Sequence, residues 1–187
     1  IAAGAEPAKV RVGGNLKYDF EPGQTAPPAE VSALLARLAP SPLIVAGSTR
    51  KGEEEPVVEA FGQVTRRHPK ALLVLAPRHP QRFDEAARVL EAAGVNYVRR
   101  SRLAEVGAAG FALPGVLLLD SLGELSSLYA AADVVFMGGS LNGWGGHNVL
   151  EPALFGKPVI AGPAMQNFRA VTETLVAAKG LIQIEGA

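Results

Sequence analysis

Five glycines fall within the twelve residues Met137-Gly138-Gly139-Ser140-Leu141-Asn142-Gly143-Trp144-Gly145-Gly146-His147-Asn148, directly after an apolar run. Glycine at this density lets the backbone approach a ligand closely or adopt positive φ, and is otherwise costly in conformational entropy. Asn148 opens the next helical stretch, with Glu151 three residues later and Pro152 in the first turn. Two readings of Glu151 stand. Asn148-x-x-Glu151 satisfies a capping box, and a carboxylate in the first turn beside a glycine-rich loop is also where a ribose diol would be gripped. His147 reads as a residue starting the helix or as a phosphate contact. Metal ligation is disfavoured, because His68 and His79 stand far off without ligand spacing.

Three further loops carry polar residues that a connection would not require. Gly47-Ser48-Thr49-Arg50-Lys51-Gly52 precedes a helix expected from about Glu53. Its backbone N–H groups and the positive helix end suit a phosphate. Equally, Ser48 or Thr49 caps that helix, with Glu53 to Glu55 in its first turn. The spacing of a Walker motif is missing, and no G-x-G-x-x-G follows any apolar run, which leaves a dehydrogenase reading weak. Pro77-Arg78-His79-Pro80 holds Arg78 on a rigid turn; it is either an anion contact or a solvated loop residue. In Asp120-Ser121-Leu122-Gly123-Glu124-Leu125, Asp120 or Ser121 could cap the next helix, with Glu124 as capping partner.

The elements that must position these loops read clearly. Apolar runs at Pro42–Gly47, Ala71–Ala76, Asn96–Val98, Val116–Leu119, Asp133–Met137, Pro158–Ala161 and Leu181–Ile184 are expected as strands. Helices are expected over Glu53–Arg67, Gln81–Ala93, Leu122–Ala131, from Asn148, and over Phe168–Ala178. Continuous rather than alternating apolar strands mean burial on both faces, and intervening helices mean a parallel sheet. The fold class is therefore α/β, a Rossmann-like doubly wound sheet of about six strands, with ligands beyond the strand C-termini.

Composition narrows the function classes. The 187 residues hold 18 Lys plus Arg against 18 Asp plus Glu, so the net charge is zero and electrostatically driven nucleic-acid binding is disfavoured. With 48% hydrophobic and 19% charged residues, the chain is not disordered. There is no Cys, so no disulfide framework and no thiolate site. No run approaches the roughly 18 apolar residues of a membrane span, and Ile1 to Val12 lack a signal-peptide pattern. The missing initiator Met suggests a processed chain or a fragment, soluble by itself. Residues 1–30, including Glu21 to Pro28, read as a lead-in and linker, and residues 31–187 as one domain.

Gly138-Gly139-Ser140, then Gly145-Gly146-His147-Asn148-x-x-Glu151-Pro152, then Gly162-Pro163 and Asn167-Phe168, resemble the 3-deoxy-D-manno-octulosonic acid (Kdo) transferases of lipopolysaccharide synthesis. Gly14-Asn15-Leu16-Lys17-Tyr18-Asp19, Pro77-Arg78-His79-Pro80 and Asp120 to Leu125 agree in order and spacing, so the resemblance runs from about Val10 to Ala187. It implies the C-terminal, donor-binding domain of a GT-B glycosyltransferase. The acceptor domain, with the membrane-associating segment and the carboxylate general base, would precede Ile1, and the family's last helices would follow Ala187. The implied activity is inverting, metal-independent transfer of Kdo from CMP-Kdo to lipid A precursor. No cofactor is implied, and the setting is the cytoplasmic face of the bacterial inner membrane, reached only through the full-length protein.

Carried over by matching positions, Pro77, Arg78, Leu122, Gly123, Glu124, Asn148, Val149, Leu150 and Glu151 would contact CMP. Ser48 and Thr49 join them, and Lys17 would stabilise the departing phosphate. The aspartates, Asp19, Asp84, Asp120 and Asp133, form no Asp-x-Asp metal motif. Arg50 and Lys51 stand where the family usually has His after Ser-Thr, Gln81 replaces a commoner Glu, and Trp144 replaces a frequent basic residue. The alternatives are a GT-B domain for a UDP-sugar and a non-catalytic nucleotide-binding module.

Overall fold

A computed structural model describes residues 4, 6–9, 26–106 and 110–185. After α1 (Ala29–Leu38) the chain alternates strictly: β1 (Leu43–Thr49), α2 (Glu54–Thr65), β2 (Leu72–Pro77), α3 (Phe83–Ala92) and β3 (Tyr97–Arg99). There follow α4 (Leu103–Val106), β4 (Gly115–Leu118), α5 (Leu125–Ala131), β5 (Val134–Met137), α6 (Leu150–Leu154), β6 (Val159–Ala161), α7 (Arg169–Ala177) and β7 (Leu181–Gln183). Every pairing is parallel, in the order β3-β4-β2-β1-β5-β6-β7. The expected doubly wound sheet is present, with seven strands rather than about six. All seven apolar runs form strands, the edge strands β3 and β7 being three residues each.

Burial on both faces explains the unbroken apolar runs. All six residues of β2 are buried. Leu72, Val74 and Ala76 join the core under α1, α5, α6 and α7, whereas Leu73 and Leu75 join Val58 and Phe61 of α2 and Ala86, Ala87 and Leu90 of α3. The start of β1 is tied to that of β5 by Asp133, whose Oδ2 accepts the Leu43 N–H at 2.7 Å.

Two helix starts are later than the residue pattern suggests. Gly123 has φ +82°, so residues 122–124 form a turn and α5 begins at Leu125. Asn148 spends its side chain on the turn ahead of α6, which begins at Leu150. Among the described residues no helix is long and apolar enough to cross a membrane.

From β1 the order runs towards β2, from β5 towards β6, and the helices that follow these two strands pack on opposite faces. The C-terminal ends of β1 and β5 therefore open a crevice at the reversal of strand order, where sheets of this type bind ligands.

Candidate functional site

The crevice begins with an irregularity. Along β1 and β2, Gly47 pairs with Ala76 and Thr49 with Pro77, so Ser48 is bulged out of register. It holds φ +57°, a left-handed conformation unfavourable for serine. The bulge turns the Ser48 side chain into the cavity described below, a common use of bulges beside sites. Opposite it, β5 comes so close that a Cβ on Gly138 would lie 2.5 Å from the Ser48 carbonyl oxygen. Only glycine allows that approach.

Glu53 fixes the glycine-rich loop. Its fully buried carboxylate accepts the N–H groups of Gly139 (2.7 Å), Ser140 (2.9 Å), Leu141 (2.8 Å) and Arg50 (2.8 Å). Thus the two loops that follow β1 and β5 share one buried charge satisfied by four backbone donors. Ser140, also fully buried, donates from Oγ to the Met137 carbonyl at 2.5 Å and accepts the Gly162 N–H at 2.8 Å. The loop closes on itself where the Gly146 N–H reaches the Gly139 carbonyl at 2.8 Å.

Between these loops lies a cavity of about 310 Å³, lined by Ser48, Arg78, Leu125, Tyr129, Met137, His147, Asn148, Glu151 and Phe168. That is at the small end of ordinary ligand pockets, roughly 300–1,000 Å³. A larger hollow of about 660 Å³ runs between α2 and α3, but no strand C-terminus contributes to its wall. The smaller cavity combines a cation, a carboxylate and apolar walls, and it sits at the crevice that the topology opens. Burial raises the Glu151 carboxyl pKa, against the opposing effects of the Asn148 hydrogen bond and the Arg78 charge. Tyr129, 1% exposed, has its phenol pKa raised first by burial and then by Glu151.

At the rim, Arg50 gathers residues distant in sequence. Its Nε donates to His147 Nε2 at 3.3 Å, its Nη1 lies 2.7 Å from His79 Nε2, and its guanidinium carbon sits 5.0 Å from the centroid of the Trp144 ring. Burial first, then the charges of Arg50 and Arg78 and finally His79, bring the His147 pKa down to about 4. Desolvation, followed by Arg50, Arg78 and Arg82, lowers that of His79.

The sequence-derived candidates fall into three groups. Ser48, Arg78, Asn148 and Glu151 line the cavity together. Pro77, Thr49, Val149, Leu150, Leu122, Gly123 and Glu124 do not. Thr49 is fully buried and donates to Glu54 Oε1 at 3.0 Å; Val149 is core; Leu122 is 70% exposed. Glu124 is held by Arg100 Nε at 2.8 Å and makes no capping bond, while Asp120 accepts from the N–H and hydroxyl of Ser101 at 2.8 and 2.6 Å. Neither Ser48 nor Thr49 caps α2. Lys17 and the Gly14–Asp19 motif lie outside the described residues.

The capping box is half formed. Asn148 Oδ1 accepts the Leu150 N–H at 3.2 Å, but Glu151 returns only a side-chain contact, accepting from Asn148 Nδ2 at 3.3 Å. Glu151 also lines the cavity. Sequence reasoning missed Glu53 as the loop anchor and the Arg50 cluster. Glu53 carries no signal beyond that of an acid at a helix start, and His79 and His147 stand too far apart in sequence for their meeting at Arg50 to be read from spacing.

Such a Rossmann-like sheet, with a polar cavity at its reversal of strand order, places the chain among the doubly wound α/β domains. Known proteins make this specific. The chain is 41% identical over 185 residues to the 3-deoxy-D-manno-octulosonic acid transferase of Bordetella pertussis, covering 94% of this chain and 41% of that protein. It is 34% identical over 180 residues to the same-named protein of Haemophilus influenzae, covering 94% and 40%. The crystal structure of the C-terminal CMP-Kdo binding domain of WaaA from Acinetobacter baumannii superposes with a TM-score of 0.74 at 30% identity, over 84% of this chain and 81% of that one. The chain belongs to the Kdo transferase family. It spans about two-fifths of the length of the two named transferases. No protein-family model matches it.

Proposed function

We propose that the cavity takes the CMP part of CMP-Kdo, and that a full-length protein carrying this domain transfers Kdo to a lipid A precursor at the cytoplasmic face of the bacterial inner membrane. The observation that carries this reading is the pairing of Arg78 and Glu151 in one small cavity at the ends of β1 and β5. A nucleoside monophosphate presents an anion at one end and a ribose diol beside it. A rigidly mounted guanidinium suits the first. A half-buried carboxylate, an acceptor with free oxygen capacity, suits the two O–H donors of the second.

In the transfer, an acceptor hydroxyl oxygen attacks the anomeric carbon of Kdo from the face opposite the phosphate. The bond from that carbon to the phosphate oxygen breaks, and CMP departs with the electron pair. Arg78, with Lys17 as a further proposed cation, offsets the charge that develops on the phosphate, so the residues supply electrostatic stabilisation without a metal. The hydroxyl proton needs a base within hydrogen-bond reach. Glu151 and Glu124 are engaged elsewhere, so the base belongs to the acceptor side.

Calorimetric titration with CMP, UMP and UDP tests the donor. Saturable CMP binding that is at least tenfold tighter than UMP or UDP is expected. A preference for UDP would replace this reading with that of a UDP-sugar domain.

A further inference from the structure

Two guanidinium groups stand at this site without a carboxylate partner. None of the ion pairs among the described residues includes Arg50 or Arg78. The nearest acid on the loop, Glu53, has its oxygens turned to four backbone N–H groups. Arg78 lines the cavity; Arg50 does not, but it donates to His147, which does.

The surroundings of Arg50 prepare it as a receptor. Arginine only donates, so the Nε2 atoms of His147 and His79 must both accept, and each ring carries its proton on Nδ1. These contacts use the Nε–H and one Nη1–H. One Nη1–H and both Nη2–H donors remain, enough to give a carboxylate two hydrogen bonds. Trp144, 54% exposed, lies under the guanidinium plane and limits its rotation. A cation held by two uncharged rings and an indole face is fixed in position and not neutralised.

We propose that Arg50 receives the carboxylate of the donor's sugar, with His79, His147 and Trp144 holding its free edge towards the cavity. The inference rests on the reading of CMP-Kdo as donor. That molecule carries two anionic groups, a phosphodiester and the sugar acid, and the site offers two guanidinium groups without carboxylate partners, one in the cavity and one on a residue that donates to its lining. Arg78 serves the phosphate and Arg50 the acid.

The test is calorimetric titration of the wild type, Arg50→Ala and Arg50→Lys with CMP and with freshly prepared CMP-Kdo. The wild type should bind CMP-Kdo more tightly than CMP. Arg50→Ala should lose about ten- to a hundredfold in CMP-Kdo affinity, as for a charge-assisted bond, while CMP affinity stays within about twofold. Arg50→Lys, which keeps the charge without the fork, should fall between; it also answers for the case in which the alanine variant misfolds. Equal losses for both ligands would overturn the proposal and make Arg50 a phosphate ligand. No loss for either would overturn it in favour of a purely structural cluster. Failure of the wild type to bind CMP at all would instead overturn the donor reading on which it rests.

Discussion

At the scale of single residues, the site turns on how each charge is used. Glu151 keeps an acceptor edge for the cavity, because Asn148 caps the turn with its own oxygen. Glu151→Gln should therefore weaken CMP binding by about 1.5–3 kcal/mol, roughly ten- to a hundredfold, with little change in melting temperature. Equal affinities would remove the ribose role, and a lower melting temperature alone would return Glu151 to the helix cap. Arg78→Ala should weaken CMP binding at nearly unchanged apo stability; intact binding would reduce the proline-framed turn to a connection. His147 supplies a pH signature. Its folded pKa of about 4 lies below the ordinary 6.5, so as pH falls the unfolded chain takes up the proton first. The stability contribution is complete above about pH 6.5 and is lost as pH falls towards 4. Glu54 and Glu151, both shifted upward by burial, act in the opposite sense, so the variant His147→Gln isolates the effect. The melting temperature of the wild type should fall relative to that of the variant between pH 6.5 and 4, and parallel curves would contradict the assignment. Arg78, Glu151 and Asn148 were legible in the sequence because each adjoins a proline or glycine marker. Glu53 and Arg50 were not, since their roles arise only when the loops after β1 and β5 meet.

At the scale of elements, the same meeting governs stability. The two loops are pinned by Glu53 and brought into contact by Gly138. Glu53→Ala strands four N–H groups, two of them buried, and should cost about 3 kcal/mol or more, lowering the melting temperature by roughly 6–12 °C. CMP binding should fail with it, because the loop then has no anchor. A variant of wild-type stability would show that Glu53 does not hold the loop. Gly138→Ala drives a methyl group against the Ser48 carbonyl and should destabilise by about 1–3 kcal/mol while opening the cavity; unchanged CMP affinity would argue against the close contact of β1 and β5. The strands and their parallel order were readable from the apolar runs, since burial on both faces leaves little else for Ala71–Ala76 or Asp133–Met137 to be. Helix starts were less readable. By type, Leu122 and Asn148 fit as first helical residues, and only the positive φ of Gly123 and the side-chain turn of Asn148 exclude them. The bulge at Ser48 left no trace in residue type, because it is imposed by strand register.

At the scale of the whole molecule, zero net charge hides a strongly polarised site. Arg50 and Arg78 stand without a carboxylate partner just beyond the C-terminal ends of β1 and β2, whereas Arg82, Arg99 and Arg100 are paired with acids. The fold agrees with this polarity: the sheet reverses where the cations gather. The central claim is that CMP enters the cavity at that reversal. The most direct measurement is a titration of the ¹⁵N-labelled chain with CMP, followed by amide chemical shifts. Saturable changes are expected at Ser48, Arg78, Gly139, His147, Asn148 and Glu151, with little change along the groove between α2 and α3. Absence of any saturable change at millimolar CMP, or changes confined to that groove, would contradict the account.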